Sequence, residues 1–368
     1  MRPTITSLTI RGFKTIRELK DFDPGRLTVL IGPNGAGKSN FLSFFRMLSR
    51  MLTPPGGLQM YVVERGGIST LFHDGPIKTR HLDASISLSA EIESFNYSFQ
   101  LFHTEGDAAA FGYERYSFAR LGADRPTELG FAHREPLLIS EAQGGKREAR
   151  VIYDALRRMV VYQFNDTSFS SRMHNRWPVD DGARLKEDAG NLAPFLYRLL
   201  QTKPGYYRRI VETLQMILPF FTDFELQPEF DHLLLRWRER DSDRAFSVSQ
   251  AADGMLRIMA LVALLRQPEE DLPDLLILDE PELGLHPYAV ELLAAMLRSV
   301  SHHVQVIVAT QSISLVDRFE PHDIVVVDRV GRESIFRRLN DADLDEWRED
   351  YTMSELWEKN VLGGRPGR

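Results

Sequence analysis

Apolar and polar residues alternate in the first part of the chain in the manner of β-strands. Residues 4–10 alternate, residues 27–31 are almost continuously apolar, and two successive alternations fill residues 82–103. Alternation with a period of two predicts strands with one buried face, and a short apolar run predicts a strand buried on both faces. The paired alternations therefore predict an antiparallel β subdomain. Between residues 104 and 150 the pattern breaks up, so we expect a flexible insertion there.

Helical spacing and apolar runs alternate through the rest of the chain. Residues 38–51 place apolar side chains on one face and are soon followed by two prolines and two glycines, which predicts a helix that ends there. Similar spacing predicts further helices at residues 190–218, 254–265 and 288–300. Apolar runs predict strands at residues 160–164, 275–278, 304–309 and 324–327, and a hairpin from residues 233–239 and 245–248. Strands that alternate with helices are typical of an α/β fold with a parallel sheet.

The composition is that of a globular protein, with 43% hydrophobic and 26% charged residues among 368. A formal net charge of -7 excludes a surface that is basic throughout, so contact with nucleic acid needs a local basic patch. The absence of cysteine excludes disulfides, thiolate nucleophiles and cysteine-ligated metals. The sequence contains neither a signal peptide nor an apolar run of the roughly 18 residues that span a bilayer. We therefore expect a cytoplasmic protein that does not contact a membrane.

Residues 32–39 form a complete P-loop pattern, Gly-Pro-Asn-Gly-Ala-Gly-Lys-Ser, between a predicted strand and a predicted helix. In such a loop, glycines allow successive backbone N–H groups to face phosphates, and the helix N-terminus adds partial positive charge. Lys38 is placed to reach the outer phosphates, and Ser39 to ligate Mg²⁺. We therefore expect an ATP site formed by Asn34, Gly35, Ala36, Gly37, Lys38, Ser39 and Asn40.

Two adjacent carboxylates follow the apolar run at residues 275–278. They lie at the carboxyl end of a predicted strand, where ligands of α/β sheets bind. Asp279 is placed to hold Mg²⁺ through water, and Glu280 to orient and deprotonate the attacking water. A pair of acidic residues can also cap a helix, but the P-loop in the same chain favours the catalytic interpretation.

Together these motifs resemble the ABC-type ATPases, and among them the branch that contains the SMC, RecF and OLD-family proteins. The similar segments are residues 10–14, 32–39, 278–287 and 309–312. Residues 162–168 and 355–364 are similar to stand-alone predicted AAA-family ATPases without a Toprim domain. The resemblance implies an α/β fold, a P-loop NTPase head of the ABC type with an antiparallel β subdomain and a helical lobe. It also implies lobe I at residues 1–165, a helical part at residues 166–230 and lobe II at residues 231–368.

The resemblance also implies roles for single residues. Gln163 matches the glutamine loop, whose glutamine links Mg²⁺ and the attacking water to the helical lobe; the residues alone leave a buried strand glutamine as the alternative. Ala252 replaces the serine of the signature turn, which binds the nucleotide of the opposite subunit. Gln311 replaces the usual switch histidine and cannot carry a proton as imidazole does. We therefore expect weak dimerisation and slow hydrolysis. The signature turn itself aligns with Asp253, Gly254 and Met255.

We interpret the chain as a Mg²⁺-dependent ATPase that forms a homodimer and acts as an ATP-gated switch. The resemblance implies a separate effector, such as a Toprim-like protein or a nuclease, or a nucleic-acid transaction in DNA repair or antiviral defence. A nucleotide-binding scaffold with little turnover is the alternative. For nucleic acid, a stripe of alternating arginines is a candidate phosphate contact, with a solvated strand face as its alternative. The stripe consists of Arg236, Arg238 and Arg240.

Overall fold

The computed structural model describes residues 2–120, 123–340, 351–359 and 361–363. Its strands are β1 (Thr4–Phe13), β2 (Ile16–Phe22), β3 (Leu27–Ile31), β4 (His81–Ala90), β5 (Glu93–Thr104), β6 (Ala108–Arg120), β7 (Ala123–Gly130), β8 (Met159–Tyr162), β9 (Trp177–Pro178), β10 (Phe221–Phe224), β11 (His232–Leu233), β12 (Arg236–Glu239), β13 (Ala245–Ser247), β14 (Leu275–Asp279), β15 (Gln305–Ala309), β16 (Ile324–Val330) and β17 (Glu333–Arg338). Its helices are α1 (Lys38–Met51), α2 (Gly57–Glu64), α3 (Leu138–Gln143), α4 (Arg147–Arg157), α5 (Leu192–Thr202), α6 (Pro204–Ile217), α7 (Asp253–Leu265), α8 (Pro287–Ser301), α9 (Ile313–Val316) and α10 (Met353–Glu358).

The carboxyl ends of the parallel strands lie at one edge of the central sheet. The strand order is β17-β16-β3-β15-β14-β8, and every neighbouring pair is parallel except β16 with β17. In register, Leu278 of β14 lies beside Tyr162 of β8, and Ala309 of β15 lies beside both Asp279 and Leu30. The P-loop, the acidic pair and the segments after β8 and β15 therefore leave the sheet side by side.

The central sheet is buried on both faces, as its continuous apolar runs predict. In β14, Leu276 and Leu278 belong to one core, whereas Leu275 and Ile277 belong to the other. The first core contains α5 to α8. The second contains α1 and an antiparallel sheet of order β2-β1-β4-β5-β6-β7. Helix α1 is therefore packed in the core that the two sheets share, which fixes the helix that begins at Lys38.

The antiparallel sheet is larger than the alternation in the sequence predicted. β5 pairs with β4 along the whole length of β4, as expected. The pattern predicted a flexible insertion at residues 104–150, but their described part is regular: β6 and β7 extend the sheet, and α3 and α4 join its core. The alternation of β6 is hidden because it includes the buried Glu114. This carboxylate accepts hydrogen bonds from Tyr97 at 2.8 Å and from the N–H groups of Leu137 and Leu138 at 2.7 and 3.0 Å.

The hairpin of β12 and β13 is present as predicted. Trp237 is buried, while the arginines on either side of it are held by carboxylates: Arg236 donates to Glu229 at 2.8 Å, and Arg238 to Glu225 at 2.6 Å. Because two guanidinium groups of the stripe are already paired, the solvated strand face is the better description of it.

The other predicted helices and strands of the second half of the chain are also present. β2 and β17 were not predicted because they are edge strands rich in charged residues, which obscure the alternation. Within the similar segment 355–364, residues 360 and 364 lie outside the described residues. None of the helices in the part of the chain that the structure describes is long and apolar enough to cross a bilayer.

Candidate nucleotide-binding site

The loop between β3 and α1 is packed closely against β16 and β17. Gly32 and Gly37 have φ angles of 150° and 117°, in the region that favours glycine. A Cβ atom on Gly32 would lie 2.2 Å from the carbonyl oxygen of Val327, and one on Gly37 would lie 2.0 Å from Oγ of Ser334. The two glycines therefore allow the loop to run against the neighbouring strands where no side chain fits.

The first turn of α1 presents backbone N–H groups that donate to no acceptor in the described part of the protein. The N–H of Phe41 donates to the carbonyl of Gly37 at 3.0 Å, and Gly37 provides no capping side chain. Among the residues that the structure describes, none accepts from the N–H groups of Lys38, Ser39 or Asn40. Free N–H groups and the positive end of a helix dipole form a binding site for phosphate. The loop therefore fits the triphosphate that its pattern predicts.

The remaining residues of the predicted ATP site differ in their surroundings. Asn34 is exposed, whereas the side-chain amide of Asn40 donates to Oγ1 of Thr15 at 2.8 Å. The carbonyl groups of Gly35 and Ala36 accept hydrogen bonds from side chains of β16 and β17. These contacts hold the outer side of the loop in place.

Lys38 is buried, with 6% of its surface exposed. Its Nζ donates to the carbonyl oxygen of Gly32 at 2.5 Å and to that of Pro33 at 3.3 Å. Burial lowers the pKa of Lys38, and the carboxylates of Glu280 and Asp279 act against that shift. The ammonium group is thus held over the loop, close to two carboxylates, in the position from which it can bind outer phosphates.

Asp279 ends β14 and is buried. Burial raises the pKa of this carboxyl group, the positive charge of Arg46 opposes the shift, and the carboxylate of Glu280 adds to it. No described side chain hydrogen-bonds to Asp279. A carboxylate here, the exposed hydroxyl of Ser39 and the amide oxygen of Gln163 are oxygen donors of the kind that Mg²⁺ prefers. The residues present therefore fit the metal that the P-loop implies.

Glu280 and Gln311 are in direct contact. Glu280 has a φ angle of 47°, and its N–H donates to the carbonyl of Ala309 at 2.8 Å, so the chain turns sharply after β14. The side-chain amide of Gln311 donates to Oε1 of Glu280. The predicted base and the predicted switch residue therefore lie together, 31 positions apart in the chain.

Glu282 begins residues 282–286, which by resemblance to the ABC-type ATPases match the loop that contacts the opposite subunit across the dimer. It is buried, and Oγ1 of Thr310 donates to its Oε1 at 2.5 Å. In the described part of the molecule its Oε2 has no hydrogen-bond partner. Burial raises the pKa of Glu282, and the neighbouring carboxylate of Glu280 acts in the same direction. A buried carboxyl group therefore lies directly beside the candidate base.

Gln163 follows the last residue of β8 and is exposed, so it is not the buried strand glutamine that was its alternative. The register of β8 and β14 places it level with Asp279. Its Oε1 accepts a hydrogen bond from Nη2 of Arg46 at 2.9 Å. The sequence analysis missed Arg46; its only signal is an arginine in the otherwise apolar middle of α1.

The signature turn lies at the start of α7. Asp253 is the first residue of this helix, and the exposed Ala252 before it provides no side-chain cap. A Cβ atom on Gly254 would lie 2.6 Å from the carbonyl oxygen of Gly284, so the turn contacts the loop that follows the acidic pair. Met255 is buried and its N–H donates to the carbonyl of Ala252 at 2.9 Å, so neither its side chain nor its N–H is left for a ligand, contrary to its predicted place in the signature turn.

Arg257 joins three backbone segments of the site and was also missed. From α7 its guanidinium donates to the carbonyl groups of Leu283 at 2.7 Å, Asn165 at 3.0 Å and Phe164 at 3.3 Å. Leu283 follows the acidic pair in the chain, whereas Phe164 and Asn165 follow Gln163. One side chain therefore ties the signature helix to both of those loops.

Solved SMC head domains have a similar fold. An SMC head bound to the C-terminal winged-helix domain of ScpA is 16% identical, with a TM-score of 0.61 over 92% of this chain and 99% of that chain. An SMC head domain with an extended coiled coil, bound to the C-terminal domain of ScpA derived from Pyrococcus furiosus, is 15% identical, with a TM-score of 0.60 over 95% and 99%. The chain thus has the P-loop NTPase fold of an ABC-type, SMC-like ATPase head.

No curated protein is significantly similar to the chain in sequence. Residues 27–317 match the family described as "AAA domain, putative AbiEii toxin, Type IV TA system". The matched span contains the P-loop, the acidic pair and the switch residue. By this match the chain belongs to that family of AAA-domain proteins.

Proposed function

We propose that the protein binds Mg-ATP and hydrolyses it slowly, and that two copies close around two nucleotides. One observation carries the proposal: a P-loop with a free helix N-terminus, Lys38, Asp279 and the Glu280–Gln311 pair converge at one edge of the central sheet. Membership of an AAA-domain family and the SMC-like fold support nucleotide binding.

In this proposal each side chain has a separate task. Lys38 and the first turn of α1 bind the phosphates, while Ser39, Asp279 and Gln163 hold Mg²⁺. Bound Mg²⁺ supplies positive charge that neutralises the phosphate oxygens. Glu280 orients the attacking water and takes its proton. Because Gln311 holds Glu280 but cannot carry a proton, turnover is slow.

The position of the signature turn supports the proposed dimer. Asp253 and Gly254 offer backbone N–H groups at the start of α7 to the nucleotide of a second copy, whereas the N–H of Met255 already donates to the carbonyl of Ala252. Closing and opening of the dimer then acts as a switch for a second protein or for a nucleic-acid transaction, in cytoplasmic DNA repair or antiviral defence. The family description includes a putative toxin of a type IV toxin–antitoxin system, and the similar SMC heads are bound to ScpA, which supports a protein partner.

A nucleotide-binding scaffold is the second candidate function. Two features favour it: Ala252 has no hydroxyl group for the opposite nucleotide, and Gln311 occupies an oxygen of the candidate base. A scaffold needs ATP to be bound but gains nothing from turnover.

Glu280→Gln separates these functions. We expect the variant to bind ATP, to form an ATP-dependent dimer in size-exclusion chromatography with light scattering, and to lose phosphate release by about 100-fold or more. Lys38→Ala is the matched control and should neither bind ATP nor dimerise. Equal background rates in wild type and Glu280→Gln favour the scaffold, and the absence of ATP binding to wild type contradicts both functions.

A further inference from the structure

A strongly basic cavity lies beside β8, next to the nucleotide site. Its volume is 660 Å³, within the range of sites for small molecules. Val160 and Val161 of the edge strand β8 form part of its wall, and the carboxylates of Glu187 and Asp188 also line it. Positive side chains outnumber them: Arg46, Arg50, Arg65, Arg157, Arg172 and Lys186.

Three of these cations form no ion pair with a carboxylate of the described residues. Arg50 pairs with Glu64, Arg172 with Asp188, and Lys186 with Asp181. Within residues 2–120, 123–340, 351–359 and 361–363, no ion pair involves the other three. Unpaired guanidinium groups around one concavity form a recognition site for phosphate, since their planar donors match its oxygens. The three side chains without an ion pair are Arg46, Arg65 and Arg157; Arg157 also donates to the hydroxyl of Tyr153 at 3.0 Å, and Arg65 lies over the ring of Tyr61.

The cavity and the nucleotide site share one hydrogen bond. Gln163 also lines the cavity, and Nη2 of Arg46 donates to its Oε1 at 2.9 Å. This oxygen is the atom with which Gln163 ligates Mg²⁺ in the proposed function. A phosphate bound to Arg46 competes for the same donor, because a dianion is a stronger acceptor than an amide. Occupation of the cavity thereby frees Gln163.

We propose that a small ligand with several phosphate groups binds in the cavity beside β8, draws Arg46 away from Gln163, and so activates ATP turnover. The activation step rests on the proposed ATPase function, whereas binding in the cavity does not. The ligand is an activator and is not consumed.

Binding is tested by calorimetry with inositol hexakisphosphate as the probe and the nucleotide site saturated with a non-hydrolysable ATP analogue and Mg²⁺. We expect wild type to bind the probe with an affinity that falls steeply with salt, and Arg157→Ala to weaken binding by about tenfold or more. Arg208→Ala removes the same charge from the exposed face of α6 and should bind like wild type. Equal affinities in wild type and Arg157→Ala overturn the site. Tighter binding of a fluorescein-labelled oligothymidylate than of the probe overturns the assignment to a small ligand.

Activation is tested by phosphate release at a fixed concentration of free Mg²⁺. The probe should raise turnover several-fold in wild type and in Arg208→Ala, and should have no effect in Arg157→Ala. In Arg46→Ala the restraint on Gln163 is already absent, so the probe should not raise turnover. Binding without any change in the wild-type rate overturns the activation step. A wild type that hydrolyses no ATP contradicts the proposed function and the activation step together, while the calorimetry still decides the site.

Discussion

At the scale of single residues, Glu282 is a carboxyl group whose charge is opposed by its surroundings. Its side chain is buried, one oxygen accepts from Thr310, and the other has no partner among the described residues. Burial raises its pKa, the hydrogen bond from Thr310 opposes this shift, and the carboxylate of Glu280 adds to it. A proton on the free oxygen relieves the two effects that raise the pKa. The folded protein therefore holds this proton at pH values where the unfolded chain has released it.

This raised pKa predicts how stability depends on pH. Between the ordinary pKa of 4.5 and the raised value, the folded state binds more protons than the unfolded state, so stability falls as pH rises through that interval and stays reduced above it. Glu282→Gln keeps an oxygen for Thr310 and cannot ionise. Its Tm should exceed that of wild type by roughly 2 °C or more at pH 8, and the difference should disappear below pH 4.5.

The control for this experiment is Glu212→Gln, which changes an exposed glutamate on α6. Scanning calorimetry should show no pH-dependent difference from wild type for it. A Glu282→Gln variant whose Tm follows wild type at every pH contradicts the inferred protonation of Glu282.

At the scale of secondary-structure elements, the sequence predicted what depends on local pattern. The P-loop, β14 and the first helix were found with nearly their observed bounds, because each combines apolar periodicity with a clear stop signal. The strands and helices within residues 104–150 were not predicted. The buried Glu114 interrupts the alternation of β6, and its hydrogen-bond partners lie 17 to 24 positions away in the chain.

The same limit applies to the site. Lys38, Asp279 and Glu280 are recognisable from residue type and spacing. Arg46 and Arg257 are not, because they act on backbone or side-chain atoms far along the chain: Gln163 lies 117 positions from Arg46, and Asn165 lies 92 positions from Arg257. A pattern of neighbouring residues therefore cannot predict these contacts.

Arg257 links α7 to the loops after β8 and β14, and this link can be tested by mutation. Arg257→Ala frees three carbonyl groups and loosens both loops, but it leaves the P-loop intact. We expect kcat to fall on the order of 10- to 100-fold, because small displacements of catalytic groups are costly, while KM for ATP changes much less. Steady-state kinetics of Arg257→Ala and Arg257→Lys test this. Lys keeps the charge but cannot reach three acceptors, so it should recover only part of the rate; full recovery, or an effect on KM alone, contradicts the linking role.

At the scale of the whole molecule, the central sheet holds the P-loop and the acidic pair at one edge, while the signature turn lies on another element; in the proposed function these are the two halves of a composite site. The two cores on either side of the sheet hold α1 and α7 in fixed positions relative to it. In the proposed dimer the nucleotide of one copy is therefore completed by the start of α7 in the other. The strength of that closure depends on the few donors at this turn, and Ala252 leaves out one of them.

Ala252→Ser restores that donor and should strengthen the ATP-dependent dimer. Ala252 is exposed with φ and ψ angles of -71° and 148°, which serine adopts without strain. One hydrogen bond to a charged phosphate contributes about 1.5–3 kcal/mol, and the proposed dimer contains two such contacts. In a Glu280→Gln background the dimer dissociation constant with ATP should therefore fall by roughly 100- to 10,000-fold. Sedimentation equilibrium measures this dissociation constant.

Serine in this position also caps α7, which stabilises each copy without joining two copies. The dissociation constant without ATP should therefore stay unchanged, and a decrease of equal size with and without nucleotide contradicts a contact between the turn and the opposite nucleotide.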